Sequence, residues 1–251
     1  MNRREIEPLA LSLAVLCQGL VLIFFGVTVV VADASAAVSA QRSAEVCGSI
    51  SVDTAWTREQ SPYSVTCDTA LEPGVTLSVE PGVEILFDPG TSLTLWGTFF
   101  ASGTPTRPIT FTSGWLVPAP GDWEGLHFEA GSSDSRLAEC VVEYATTGVH
   151  VYAGPGAVIS PTVENCTIRH HTSHGITVEA FASSCDAARA EPAIVGCAIE
   201  DNGQCGIYAY GHGSETHGCF PAETGSAGGL VARNTLRHNQ ASGICLRAEP
   251  G

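Results

Sequence analysis

The side chains able to do chemistry in this chain are eight histidines, eight aspartates, the glutamates and five tyrosines. His127 and His150 occupy equivalent places in a repeat, and a second equivalent set joins Tyr144, His170, Asp201 and His238. Imidazoles stacked about 5 Å apart could hold a transition metal if a carboxylate joined them. Solvated surface histidines are the plainer reading, so neither a metal nor any other cofactor is expected. The aspartates, at 33, 53, 68, 88, 122, 134, 186 and 201, never fall within two positions of one another. That is thin material for the paired carboxylates of glycoside hydrolysis or for an acidic calcium site. All eleven basic residues are arginines, which excludes a Walker phosphate loop, a Schiff-base lysine and a Ser-Lys dyad. A net charge of −15 argues against a nucleic-acid partner, because a phosphate backbone needs clustered cations.

The elements that must position these residues are announced by two repeats. Pro73-Gly74, Pro81-Gly82 and Pro89-Gly90 recur eight apart, enclosing alternating triplets such as Val75, Leu77, Val79 and Val83, Ile85, Phe87. Period-two alternation closed by a turn is a short strand. A longer unit, Gly-aliphatic-x-apolar, begins at Gly125, Gly148, Gly175, Gly206 and Gly243, at spacings of 23, 27, 31 and 37. Its growth is absorbed by loops at 180–192 and 211–229.

A second register precedes four of those glycines: Cys140 to Glu143, Cys166 to Arg169, Cys197 to Glu200 and Asn234 to Arg237. Stacking these rows gives an apolar column of Val142, Ile168, Ile199 and Leu236 beside a column of alternating sign, Glu143, Arg169, Glu200 and Arg237. Alternation along a parallel stack sets register more than stability, since exposed pairs contribute only about 0.2–1 kcal/mol each. Columns in fixed order are the mark of a solenoid, in which each coil buries its inward residues on its neighbours.

Residues 1–40 are set apart as a signal peptide or N-terminal membrane anchor. Arg3 and Arg4 precede an apolar run from Leu9 to Ala32, and Ala34-Ser35-Ala36 has the small-x-small spacing of a cleavage site. The run is also near the about 20 residues that span a bilayer, so both readings stand, and both export the remainder of the chain. Residues 41–70 are expected to cap the solenoid at its N-terminal end and residues 71–251 to form its coils. Without Cys17, nine cysteines remain in an oxidising compartment, so at least one thiol is free or pairs between chains. Cys47 and Cys67 bracket the cap and are expected to be bonded, as are Cys185 and Cys219 in the two long loops. Cys140, Cys166 and Cys197 read as small apolar fillers of a core column. The last coil row lacks a polar cover, so the expectation is either that the chain is truncated or that its C-terminal coil docks onto something.

The stretch from Ser61-Pro62-Tyr63 through Pro73-Gly74-Val75-Thr76-Leu77-Ser78-Val79-Glu80-Pro81-Gly82-Val83, with Gly121-Asp122-Trp123-Glu124-Gly125-Leu126, resembles secreted bacterial right-handed parallel β-helix repeat proteins of the pectate-lyase-like superfamily. The resemblance covers roughly residues 50–250. It implies an all-β fold, a right-handed single-stranded parallel β-helix with an N-terminal cap. It implies less about activity, because the superfamily holds lyases, hydrolases, adhesins and proteins without known activity. Gly211-His212-Gly213 resembles the Gly-His-Gly of polygalacturonases, but that family's Asn-Thr-Asp, Asp-Asp and Arg-Ile-Lys partners are missing.

In related β-helices the outward face of the Gly-aliphatic strands carries the substrate groove. Here that face offers Glu124, His127 and Glu129, then His150 and Tyr152, then His174, Thr177 and Glu179, then Tyr208 and Tyr210. Tyr152 and Tyr210 share a column two coils apart, about 10 Å along the stack. Tyrosine rings suit pyranose faces, and Glu or His suit hydroxyls. An acidic polysaccharide is disfavoured by Glu124, Glu129 and Glu179. The expectation is therefore an exported, secreted or cell-surface module that binds or presents without catalysis, with carbohydrate as the candidate ligand. The alternative is a polysaccharide lyase or glycoside hydrolase whose site the sequence does not reveal.

Overall fold

The computed structural model describes residues 43–183, 186–213 and 224–249. The 1–40 segment and the Cys185–Cys219 pairing lie outside these residues. Among the described residues the fold is all-β, with 24 strands and a single short 3-10 turn at Arg58–Gln60. Every pairing between named strands is parallel. No helix among the described residues is long and apolar enough to cross a membrane.

The strands form three long stacks, which we call walls. The first runs through β3 (Tyr63–Leu71), β5 (Glu84–Phe87), β8 (Ile109–Ser113), β11 (Cys140–Glu143), β15 (Thr167–Arg169), β19 (Ala198–Glu200) and β23 (Thr235–Arg237). The second runs through β6 (Ser92–Leu95), β9 (Gly125–Phe128), β12 (Val149–Ala153), β16 (Ile176–Phe181), β20 (Ile207–His212) and β24 (Ile244–Glu249). The third joins β2 (Thr54–Trp56), β4 (Thr76–Val79), β7 (Thr98–Ser102), β10 (Arg136–Ala138), β14 (Thr162–Glu164), β18 (Ala193–Val195) and β22 (Leu230–Ala232). The first two walls are continuous because β3 serves both: Tyr63 to Val65 pairs with β5 while Thr69 to Leu71 pairs with β6. A short stack of β13 (Val158–Ile159), β17 (Ala188–Ala190) and β21 (Gly225–Ala227) is added as the coils lengthen. Successive returns of the chain to the same walls make an arrangement compatible with a β-helical solenoid.

The columns expected from the repeats are present as registers. Phe111, Val142, Ile168, Ile199 and Leu236 stand one under another inside the first wall, and Leu93, Leu126, Val149, Ile176 and Ile207 inside the second. Most are wholly buried, as is Trp123, whose ring stacks on Phe87 at 3.9 Å. The charged column is in register too: Glu143 accepts from Arg169 at 2.8 Å, and Glu200 pairs with Arg237.

Two corners bend each of the last four coils. Between the third and first walls sit Glu139, Asn165, Gly196 and Arg233, and after the first wall Tyr144, His170, Asp201 and His238, all with φ between 51° and 68°. A single left-handed residue turns the chain without spending a loop on it. Inside the second corner runs a buried polar ladder. His171 N–H donates to Asn202 Oδ1 (3.2 Å), and Asn202 donates its side-chain amide to Asn239 Oδ1 (2.8 Å). The glycines at the start of the second wall pack tightly against this corner: a Cβ on Gly175 would lie 2.5 Å from Ile199 Cγ2, 2.8 Å from Gly206 O and 2.9 Å from Asn202 Nδ2, and one on Gly206 2.8 Å from both Asn239 Nδ2 and Gly243 O.

Cys47 and Cys67 are bonded, tying β1 (Ala44–Ile50) to β3, with which it pairs in parallel. A bond between Cys205 and Cys245, which the repeat pattern does not announce, ties the last coils of the second wall. Cys140, Cys166 and Cys197 are free and buried in one column. Burial first, then the neighbouring Cys140 thiol, pushes the Cys166 thiol far up, while contact with Cys166 and then burial does the same to Cys197, so these groups behave as apolar filler.

Candidate functional site

The outward face of the second wall carries three columns of side chains, because alternate residues of β9, β12, β16, β20 and β24 point away from the core. The first column holds His127, His150, Thr177 and Tyr208. The second holds Tyr152, Glu179, Tyr210 and Arg247, and Glu129 comes directly after β9. The third holds Phe181, His212 and Glu249.

An open pocket of about 290 Å³ lies over β12, β16 and β20, and the residues the sequence placed on this face, His150, His174, Thr177, Glu179 and Tyr208, line it together with Thr147 and Ser173. His150 Nε2 donates to Glu179 Oε2 at 2.9 Å. The Tyr208 ring lies on His174 with centroids 4.6 Å apart and planes within 8°. His174 is fixed in turn, its Nδ1 accepting the Cys205 amide at 3.1 Å, and burial lowers its pKa.

His127 sits beside His150, ring centroids 5.5 Å apart. Burial, and then the His150 charge, depress its pKa to about 4, so it is neutral at pH 7. Its Nε2 is buried without a hydrogen-bond partner among the described residues. Burial raises the Glu129 pKa. Glu124 stays exposed at the entry to β9, where its amide bonds Thr91 O at 2.9 Å, and neither it nor His127 lines the pocket.

Tyr152 and Tyr210 stand in one column with Glu179 between them, and Phe181 bridges the two rings at 5.9 and 5.4 Å. One face of Tyr210 is covered by Arg247 at 5.4 Å, and its hydroxyl donates to Glu249 at 2.6 Å. That bond raises the Tyr210 pKa and lowers that of Glu249. The rings thus stack chiefly on neighbouring side chains. What the pocket exposes is a set of hydroxyl, imidazole and carboxylate groups suited to hydrogen-bonding a polyhydroxylated ligand.

Phe181, His212, Arg247 and Glu249 escape a sequence reading that stops at the fifth residue of each repeat and does not follow the last row. Period two carried two or four residues further places them on the same face. Among the described residues no group of three or more His, Cys, Asp or Glu side chains is placed to hold a metal ion. Tyr144 stacks on His170 at 5.4 Å and His238 Nδ1 lies 3.5 Å from Asp201 Oδ1, both pairs on the corner rather than the wall. No family model matches this chain, and neither a curated protein nor a solved structure matches it.

Proposed function

We propose that this chain is an exported β-helix module, right-handed and capped at its N-terminal end by residues 41–70, that binds neutral carbohydrate on the outward face of its second wall without catalysis. The observation that carries the reading is the pocket in which His150, Glu179 and Tyr208 converge with the hydroxyls of Thr147, Ser173 and Thr177. Tyr152, Phe181 and Tyr210 extend it along the stack as an apolar border. Two disulfides are compatible with an extracellular protein. The pectate-lyase-like resemblance of the repeats supports the handedness and the choice of face. In this reading membrane contact is limited to the 1–40 segment.

Retention on a panel of immobilised polysaccharides, with cleavage scored separately, tests this. Tyr152→Ala combined with Tyr210→Ala should abolish retention on a neutral glycan while the thermal melt stays nearly unchanged. Unchanged retention in that double variant would sink the site, and product release by the native chain would replace binding with catalysis.

A further inference from the structure

The first wall carries a second groove that shares no lining residue with the pocket above. It has a volume of about 490 Å³, and Glu84, Leu86, Thr110, Thr112, Trp115 and Glu143 surround it. Its floor is strand: Glu84 lies beside Thr110 and Leu86 beside Thr112 in the β5–β8 register. Its lip is the loop that leaves β8. Asp122 holds that loop closed, one carboxylate oxygen accepting from Ser113 Oγ at 2.6 Å and from the Ala119 amide at 2.9 Å. Ser113 Oγ in turn accepts the Trp115 amide at 3.1 Å. A lip fixed in this way loses little conformational entropy when a ligand arrives.

Three features decide the ligand. Trp115 is 57% exposed on this lip, beside Leu116 at 99%, whereas Trp56 and Trp123 are buried in the core. An indole face with leucine beside it fits the C–H face of a sugar ring. Glu143 has its charge answered, Oε1 accepting from Thr112 at 3.1 Å and Oε2 from Arg169 at 2.8 Å. The exposed Glu84 carboxylate has no ion-pair partner among the described residues, and no arginine lines the groove. An uncompensated carboxylate beside an indole attracts a cation.

From these we infer that the groove binds a saccharide bearing free amines, with the sugar ring against Trp115, an ammonium at Glu84 and a ring hydroxyl at Thr110. The site stands independently of the second-wall pocket. It would let one module hold two different glycan chains.

Calorimetric titration of the full chain tests the assignment, with a hexamer of glucosamine, the same hexamer fully N-acetylated, and hexalysine as probes. The glucosamine hexamer should bind saturably and at least about tenfold more tightly than either other probe. Trp115→Ala and Glu84→Gln should each weaken it about tenfold, since both side chains are exposed and their replacement leaves the core untouched. Tyr152→Ala with Tyr210→Ala should leave this binding unchanged, which separates it from the second-wall site. The assignment is overturned by absence of saturable binding, by equal affinity for the acetylated hexamer or hexalysine, or by native affinity in Trp115→Ala.

Discussion

At His171 an imidazole sits wholly inside the second corner, its Nδ1 accepting the Ala145 amide at 3.0 Å. Only the neutral ring can do this, because protonation turns the acceptor into a donor facing a donor. Burial, the largest cause, holds its pKa down to about 3 against an ordinary 6.5. Between those values the unfolded chain binds the proton and the folded chain does not. Stability from this residue is therefore complete above pH 6.5 and is lost as pH falls towards 3. Gln offers a side-chain oxygen to the same amide and does not titrate. The fall in denaturant midpoint between pH 7 and pH 4 should be smaller in His171→Gln than in the native chain, and equal falls would refute the role. His171→Leu leaves the amide unpaired and should cost about 1–3 kcal/mol at pH 7.

At the scale of the strand, the alternating column makes a prediction that the apolar column cannot. Arg169 lies between Glu143 and Glu200, and its charge also holds the Glu200 pKa low, behind the larger effect of Arg237. Arg169→Met should lose about 0.5 kcal/mol, the value of a half-exposed pair. Arg169→Glu adds repulsion from two sides and should cost about 1–2 kcal/mol, read from urea midpoints. Equal losses in the two variants would show that charge order plays no part in register. This column was legible in the sequence, as were the inward columns and the shared register of Tyr152, Glu179 and Tyr210, because parallel stacking converts repeat position directly into contact. The His171, Asn202 and Asn239 ladder was not. Its residues fall outside the strands, two positions past the charged column, where period two stops and a left-handed residue intervenes. Gly148, Gly175 and Gly206 were its partial trace, since the ladder and the neighbouring backbone together occupy the space their side chains would need. The Trp115 groove was equally hidden, because the loop that leaves β8 and forms its lip belongs to no repeat and carries no periodic signal.

On the scale of the whole chain, a stack in which each coil touches only its neighbours divides its stability into local terms. The two described disulfides stand towards opposite ends of that stack, Cys47–Cys67 at β1 and β3 and Cys205–Cys245 beside β20 and β24. Core cover thins in the last coil: Ile176 and Ile207 are 0% and 2% exposed, but Ile244 in the same column is 45% exposed. Less apolar burial there leaves the covalent bond a larger share of the work of holding β24 against β20. With a sequence separation of 40, loop closure alone assigns that bond about 4 kcal/mol in the chain-entropy model. Replacing both cysteines by alanine should therefore act locally. Amide hydrogen exchange should quicken across β22, β23 and β24 while β9, β12 and β16 keep native protection, and the thermal unfolding curve should acquire an early, shallow phase. Uniform loss of protection from β9 to β24 would instead mean that the coils open as one cooperative unit, and that nearest-neighbour stacking does not describe this molecule.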